Sequence, residues 1–305
     1  MSGLSFLFNF LNDKHNDTMS SDEERLRNFL SFPLVVVRGA GDLATGVIQA
    51  LKSAGFYVLA LETNKPSAIR REVSLSDAVY YGEKRVENLR AKLCDIHNYR
   101  NVLENGDVPI VIDPDGELIR EIKPYILIDA IIAKKNIGTK KSMADLTIAL
   151  GPGFVAGQDA NADVDIVIET MRGHKLGRVI YEGEALANTG VPGIIAGKGN
   201  ERVIYSHIVG TFTPIAKIGD LLNEGDLLAE VVAEDGRKDI LTAPFKGVLR
   251  GILPAGFSVK PGFKSADIDP RESEYENCFT ISDKARALGN SVVTAILAEL
   301  CRRAR

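Results

Sequence analysis

An α/β fold is predicted for the larger part of this sequence, followed by a glycine-rich β region, a duplicated β module and a terminal helix. Three observations carry that expectation. Between about Pro33 and Leu150, apolar runs of strand length alternate with amphipathic stretches, the pattern of a parallel sheet covered by helices. From Leu150 to about Gly199, glycines crowd between short apolar runs. Further on, Gly210, Gly219 and Gly225 are spaced by 9 and 6 residues, and Gly247, Gly256 and Gly262 repeat the same 9 and 6. The expected segments are a disordered leader at 1–32, a nucleotide-binding domain at 33–150, a Gly-rich α/β or β region at 151–206, the duplicated module at 207–270 and a closing segment with its helix at 271–305.

The first strand, 34–38, runs into Gly39-Ala40-Gly41-Asp42-Leu43-Ala44, which reads G-x-G-x-x-A. This is the dinucleotide fingerprint of a Rossmann-like domain: a glycine for the tight turn, a second for close backbone approach, and a small residue where helix meets strand. Gly39, Ala40, Gly41, Asp42 and Leu43 are therefore expected to cradle a diphosphate with the first amides of a helix. That helix shows Leu43, Val47, Ala50, Leu51 and Ala54 on one face and stops at Gly55. A second strand, 57–61, ends at Glu62, placed to accept hydrogen bonds from a ribose. Ala78-Val79-Tyr80 reads as a short strand, and Val86, Leu89 and Leu93 recur at helical spacing. Pro109–Ile112 and Tyr125–Asp129 are further strands. Gly39, Glu62 and Asp129 all follow strands, so one crevice at the carboxyl ends is expected to hold them.

Composition sets limits. The 305 residues are 45% hydrophobic and carry a net charge of −4, which argues against nucleic acid as a partner. Three cysteines and four histidines are scattered without metal-site spacing, which suits a reducing, cytoplasmic setting, and no metal is expected. No apolar run approaches the roughly 18 residues of a spanning helix, so no membrane is expected. Leu4–Leu11 lacks a preceding positive charge, unlike a secretory signal.

The two glycine-spaced copies resemble a barrel-sandwich module of the biotinyl/lipoyl type, with Leu241-Thr242-Ala243-Pro244 as the run after the exposed hairpin. The carrier-lysine position falls near Gly236, and Lys238 is about two residues out with no Met beside it. No biotin or lipoate is expected.

Several polar groups are candidates for chemistry. Arg70 and Arg71 could grip a phosphate through forked hydrogen bonds. Lys134, after Asp129, is a candidate anion contact. Glu169, Arg172 and His174 form the densest polar cluster after a strand; Arg172 is a candidate phosphate or pterin contact, and Glu169 and His174 are candidate proton-transfer groups. Cys278 lies just before an expected helix and is a candidate thiolate, with a simple buried cysteine as the other reading.

Taken jointly, Val37–Gly46, Lys65–Arg71, Asp129–Thr139, Gly151–Phe154, Glu169–His174, Asn188–Gly193 and Cys278–Arg286 resemble the YqeB family, over about Leu34 to Leu297. The resemblance implies a bacterial cytoplasmic protein with a Rossmann-type domain, acting in the maturation of a selenium-dependent molybdenum hydroxylase similar to xanthine dehydrogenase. Its ligand would be NAD(P) or a nucleotide form of the molybdenum cofactor. Its partners would be the hydroxylase apoenzyme or other maturation factors, with self-association into a homo-oligomer left open. Two alternatives stand beside this: an NAD(P)-dependent oxidoreductase, and a non-enzymatic docking protein that uses the duplicated module.

Overall fold

The computed structural model of the chain describes residues 21–190 and 193–303. Helix α1 (Ser21–Ser31) leads into strand β1 (Leu34–Arg38), helix α2 (Asp42–Ser53) and strand β2 (Tyr57–Glu62). Next come α3 (Ala78–Tyr81), the hairpin β3 (Glu83–Val86) and β4 (Leu89–Leu93), α4 (Tyr99–Glu104), β5 (Val108–Ile112), α5 (Glu117–Ile122), β6 (Ile126–Asp129) and β7 (Leu146–Leu150). Short strands β8 (Val155–Ala156), β9 (Ile166–Ile168), β10 (Val179–Ile180) and β11 (Gly183–Glu184) follow. The β region comprises β12 (Val203–Tyr205), β13 (Gly210–Pro214), β14 (Leu221–Leu222), β15 (Leu227–Val232), β16 (Lys238–Thr242), β17 (Gly247–Ile252), β18 (Phe257–Val259) and β19 (Lys264–Asp269). Helix α6 (Asp283–Arg303) closes the described chain.

One large sheet has the order β10-β9-β7-β6-β1-β2-β5-β4-β3. Neighbours from β9 to β4 run parallel, while β10 and β3 pair antiparallel at the two edges, so the sheet is mixed. The apolar run of β1 from Leu34 to Val37 follows from burial on both faces. Val35 and Val37 join a core with α1, α2 and α6, whereas Leu34 and Val36 join a second core with α4 and α5.

The expected Rossmann-like parallel sheet is corrected here. Val86, Leu89 and Leu93 lie on the antiparallel hairpin β3–β4, turned at Glu87 with φ 51°, and not on a helix. Apolar residues three or four apart fit a helix or two short strands broken by a turn equally well. Ala78–Tyr81 is in turn helical. The second half of the expected leader is also ordered. Leu26, Phe29 and Leu30 of α1 are buried, Phe29 stacks on Tyr125 at 4.9 Å, and Arg25 pairs with Asp145. Residues 1–20 of that leader lie outside the described residues.

The β region consists of two four-stranded antiparallel sheets, β12-β19-β17-β14 and β16-β15-β13-β18, around a core that includes Phe212, Leu228, Val231, Leu249 and Ile268. It is not a free biotinyl/lipoyl-like module. Ile69, from the loop after β2, sits in its core, and the Ile252 N–H donates to the Ile69 carbonyl at 2.8 Å. Gly251 allows this approach, since a Cβ there would lie 3.0 Å from the Ile69 oxygen. Lys238 pairs with Glu230 at 2.6 Å on the neighbouring strand.

Candidate functional site

The carboxyl edge of the large sheet does bring Gly39, Glu62 and Asp129 together, because β1 lies between β2 and β6. What each residue does there differs from the expectation. Gly39, at φ 93°, makes the turn and donates its N–H to the Leu61 carbonyl at 2.7 Å. The Ala40 N–H donates to Glu62 Oε2 and the Thr63 N–H to Glu62 Oε1, both at 2.8 Å. Glu62 is therefore engaged in holding the loop. Burial raises its carboxyl above the usual value, and the two amide bonds oppose that shift.

The outer side of the loop is covered as well. The Ser76 N–H donates to the Ala40 carbonyl at 2.8 Å, and the Leu75 N–H to Thr45 Oγ1 at 3.0 Å. Residues 75 and 76 are thus tied to Ala40 and to the first turn of α2. Gly41, Asp42 and Leu43 are half-buried, and the Asp42 carboxylate lies 3.9 Å from Arg70. The protein's own chain is thus bonded to the Ala40 carbonyl and the Thr45 hydroxyl, at either side of the expected diphosphate cradle.

Most other candidates are structural in the same sense. Asp129 accepts from Thr139 Oγ1 at 2.6 Å and from the Ile131 N–H at 3.1 Å, with Arg38 3.8 Å away; burial raises its pKa against these contacts. Arg71 forks onto Asp77 and reaches Tyr81. Glu169 is buried and accepts from the Met171 and Leu186 amides at 2.6 and 2.8 Å, pinning two loops. His174 and Lys134 are exposed. Cys278 is buried, with Sγ 3.9 Å from the Leu249 carbonyl. Burial pushes its thiol up to about 11, with Arg70 opposing, which favours the buried-cysteine reading over the thiolate one.

A different set of side chains converges. A cavity of about 660 Å³ opens between the segment after β2, the β region and the start of α6. Its cationic lining is Arg70, Arg172, Arg202, Arg250, Lys264, Arg271 and Arg286, against four acids, Asp267, Asp269, Glu274 and Asp283. Counting only these lining residues, seven cations meet four anions, a surplus of three.

Local sequence explains the placement. Ile69 is buried in the β-region core, which fixes the next residue, Arg70, at the cavity wall. Along β19, Ala266 and Ile268 enter the core, so Asp267 and Asp269 fall on the opposite face. A register shift between Leu249 and Gly251 makes Arg250 the extra residue of a bulge, and it reaches both acids. Arg250 donates to Asp267 Oδ2 at 2.9 and 2.6 Å, Arg202 to Asp267 Oδ1 at 3.1 Å, and Arg271 forks onto Asp269 at 3.0 and 2.9 Å. Burial alone would raise the Asp269 carboxyl, but Arg271 and Arg250 hold it below the usual range. Arg172 forks onto Asp283 at the start of α6.

Two guanidinium groups are left short. The Nε atoms of Arg70 and Arg202 are buried and have no hydrogen-bond partner. Burial lowers the pKa of both arginines, and Arg250 repels each of them. Partial desolvation also lowers the Lys264 ammonium.

Of the predicted residues, the structure brings Arg70 and Arg172 to this cavity and leaves the remainder elsewhere. Sequence reasoning missed Arg202, Arg250, Lys264, Asp267, Asp269 and Arg271. The available signal was the alternation Ala266-Asp267-Ile268-Asp269, which places two carboxylates on one face of a strand. Among the described residues, no group of three or more His, Cys, Asp or Glu could hold a metal ion, and no helix is long and apolar enough to cross a membrane.

No family model matches the chain. Over 265 residues it is 47% identical to the uncharacterized protein YqeB of Escherichia coli (strain K12), covering 87% of this chain and 47% of that protein. The chain is similar to YqeB. This supports the resemblance read from the motifs, and the chain spans about half the length of the curated relative it matches. Solved structures that it matches include an aspartoacylase family protein of Mesorhizobium loti, at 13% identity and a TM-score of 0.26, over 77% of this chain and 83% of that one. The product-bound ectoine utilization protein EutE (DoeB) of Ruegeria pomeroyi matches at 13% and 0.29, over 77% and 84%. A succinylglutamate desuccinylase/aspartoacylase of Rhodobacter sphaeroides matches at 12% and 0.26, over 77% and 84%.

The expectations of a Rossmann-like NAD(P) domain, a biotinyl/lipoyl-like module and a role in molybdenum hydroxylase maturation draw no support from these matches. TM-scores this low assign no activity to the chain. For the oxidoreductase alternative, Glu62 is held by the Ala40 and Thr63 amides, and His174 is exposed. For the docking-module alternative, the β region is not a free unit, since Ile69 from the loop after β2 packs in its core.

Proposed function

We propose that the chain binds a small anionic molecule in the arginine-lined cavity between the large sheet and the β region. The observation that carries this reading is the surplus of cations around the cavity, two of them arginines with a buried, unpartnered Nε. An unsatisfied buried donor costs about 1–3 kcal/mol, and more on a charged group. A ligand oxyanion that drew a guanidinium edge toward the cavity would offset that cost through charge-assisted, forked hydrogen bonds. A cavity of about 660 Å³ lies within the range of about 300–1,000 Å³ usual for small-molecule sites.

The test is calorimetric titration of the full chain with inorganic phosphate and with citrate, at low and moderate salt. Saturable binding by either anion that weakens about tenfold in Lys264→Gln, a loss of about 1.4 kcal/mol, supports the reading. Heats no different from buffer for both anions would overturn it.

A further inference from the structure

We infer that the anion held in the arginine-lined cavity also carries an apolar group, which packs against Ile194, Ile195 and Val203. This deepens the anion-site reading and rests on it. The cavity wall is not all charge. These three side chains line it too, and all come from one short stretch of chain, 193–203. None of them belongs to the apolar cores of the described residues. A single exposed isoleucine needs no explanation, but apolar side chains grouped at a ligand-sized cavity mark a binding surface.

Strand register places Val203. It stands directly opposite Asp267 on the neighbouring strand β19, so the two side chains share one face of the sheet. The next residue, Ile204, enters the β-region core on the other face. Val203 is thus an apolar residue on the charged face, at the β12 edge of the order β12-β19-β17. It is largely covered, so Ile194, 78% exposed, and the half-buried Ile195 offer most of the free apolar surface.

A tight turn holds those two isoleucines. Ile195 and Lys198 exchange both backbone hydrogen bonds, at 2.8 and 2.9 Å, and Ala196 and Gly197 between them have φ of 45° and 79°. Positive φ at both central residues marks a type I′ turn. The turn is fastened on either side. Arg202 Nη1 donates to the Gly193 carbonyl at 3.1 Å, and the Lys198 ammonium lies 5.1 Å from the centre of the Phe245 ring, itself part of the β-region core. An apolar surface fixed in this way loses little freedom when a ligand covers it.

Small-molecule sites join an apolar lining to a few polar groups that set orientation. A compact inorganic anion would use the cations and leave Ile194 in water. An anion with a ring or a short chain beside its oxyanion uses both, and each buried methylene raises affinity about fourfold.

The test compares methylphosphonate with phenylphosphonate, and acetate with hexanoate, by calorimetry on the full chain. At least one of the larger probes is expected to bind about tenfold or more tighter than its small counterpart. Ile194→Ser, which removes no core contact, is expected to cut that ratio to about threefold or less. Val203→Thr, of the same shape, is expected to lower the ratio as well. Equal affinity for small and large probes overturns the apolar-group inference while leaving the anion site standing. A ratio that survives both substitutions unchanged overturns it too, because the apolar group then binds elsewhere. No binding by any of the four removes the anion site and the inference with it.

Discussion

Gly46 of α2 and Gly289 of α6 meet where the two helices cross with their backbones in contact. A Cβ on Gly46 would lie 2.5 Å from the Ala285 carbonyl oxygen, and one on Gly289 would lie 2.4 Å from the Gly46 oxygen. Glycine in a helix interior costs about 0.8–1.0 kcal/mol relative to alanine, so its presence on both sides marks a packing demand that outweighs propensity. This crossing holds the start of α6, and with it Asp283 and Arg286, at the cavity.

Gly289→Val is expected to destabilise the protein by about 1–3 kcal/mol through overpacking, despite the gain in helix propensity. Urea unfolding reads this as a lower midpoint with an unchanged slope. A midpoint equal to or above that of the wild type would show that the helices can separate without loss.

Helix α1 is part of the fold, so removing residues 1–31 should be costly. Leu26, Phe29 and Leu30 are buried, and Phe29→Ala alone is expected to cost about 3–5 kcal/mol. Thermal unfolding of the truncated chain should show a clear drop in Tm. Unchanged stability would return α1 to the status of a dispensable leader.

Glu62 is expected to act on stability and not on ligand affinity. Glu62→Ala leaves the Ala40 and Thr63 amides without their acceptor, a loss of about 1–3 kcal/mol in urea unfolding. Phosphate affinity should be unchanged. A fall in affinity at full stability would bring the glycine loop back as a ligand site.

The cysteines should separate by reactivity. Cys301 is exposed, whereas burial raises the Cys94 and Cys278 thiols to about 11 each. At pH 8 a thiol reagent should show one fast phase that vanishes in Cys301→Ser. Because the folded pKa values lie above the ordinary value of 9.0, these two thiols favour the folded state below pH 9, and that contribution is lost as pH rises from 9 to 11. Stability that rises across that interval would contradict the assignment.

Asp267 holds two arginines in a nearly dry position. Asp267→Asn leaves Arg202 and Arg250 without their shared carboxylate and is expected to cost about 3–5 kcal/mol. Added phosphate should restore part of the lost Tm by supplying the missing negative charge. No recovery in phosphate beyond that of the wild type would separate the buried ion pairs from anion binding.

Much of the secondary structure is legible from the chain because it follows from local chemistry. Uninterrupted apolar runs give β1, β2, β5 and β6. Gly55, at φ 95°, ends the first helix of the sheet as its sequence position suggests. The hairpin β3–β4 is less legible, since its apolar spacing fits two periods and only the partner strand β5 selects one.

The candidate site lies further from the sequence still. Arg70, Arg202, Arg250 and Asp267 stand as far as 197 residues apart (267 − 70), and no short window places them together. The sequence alone determined where chain turns are forced and which residues must be buried, because backbone sterics and apolar burial act over a few residues. Only the tertiary structure decided which charges share a cavity, and that residues 75 and 76 are tied to Ala40 and the start of α2. Both depend on which segments lie against each other, and charge compensation is a property of neighbours in space.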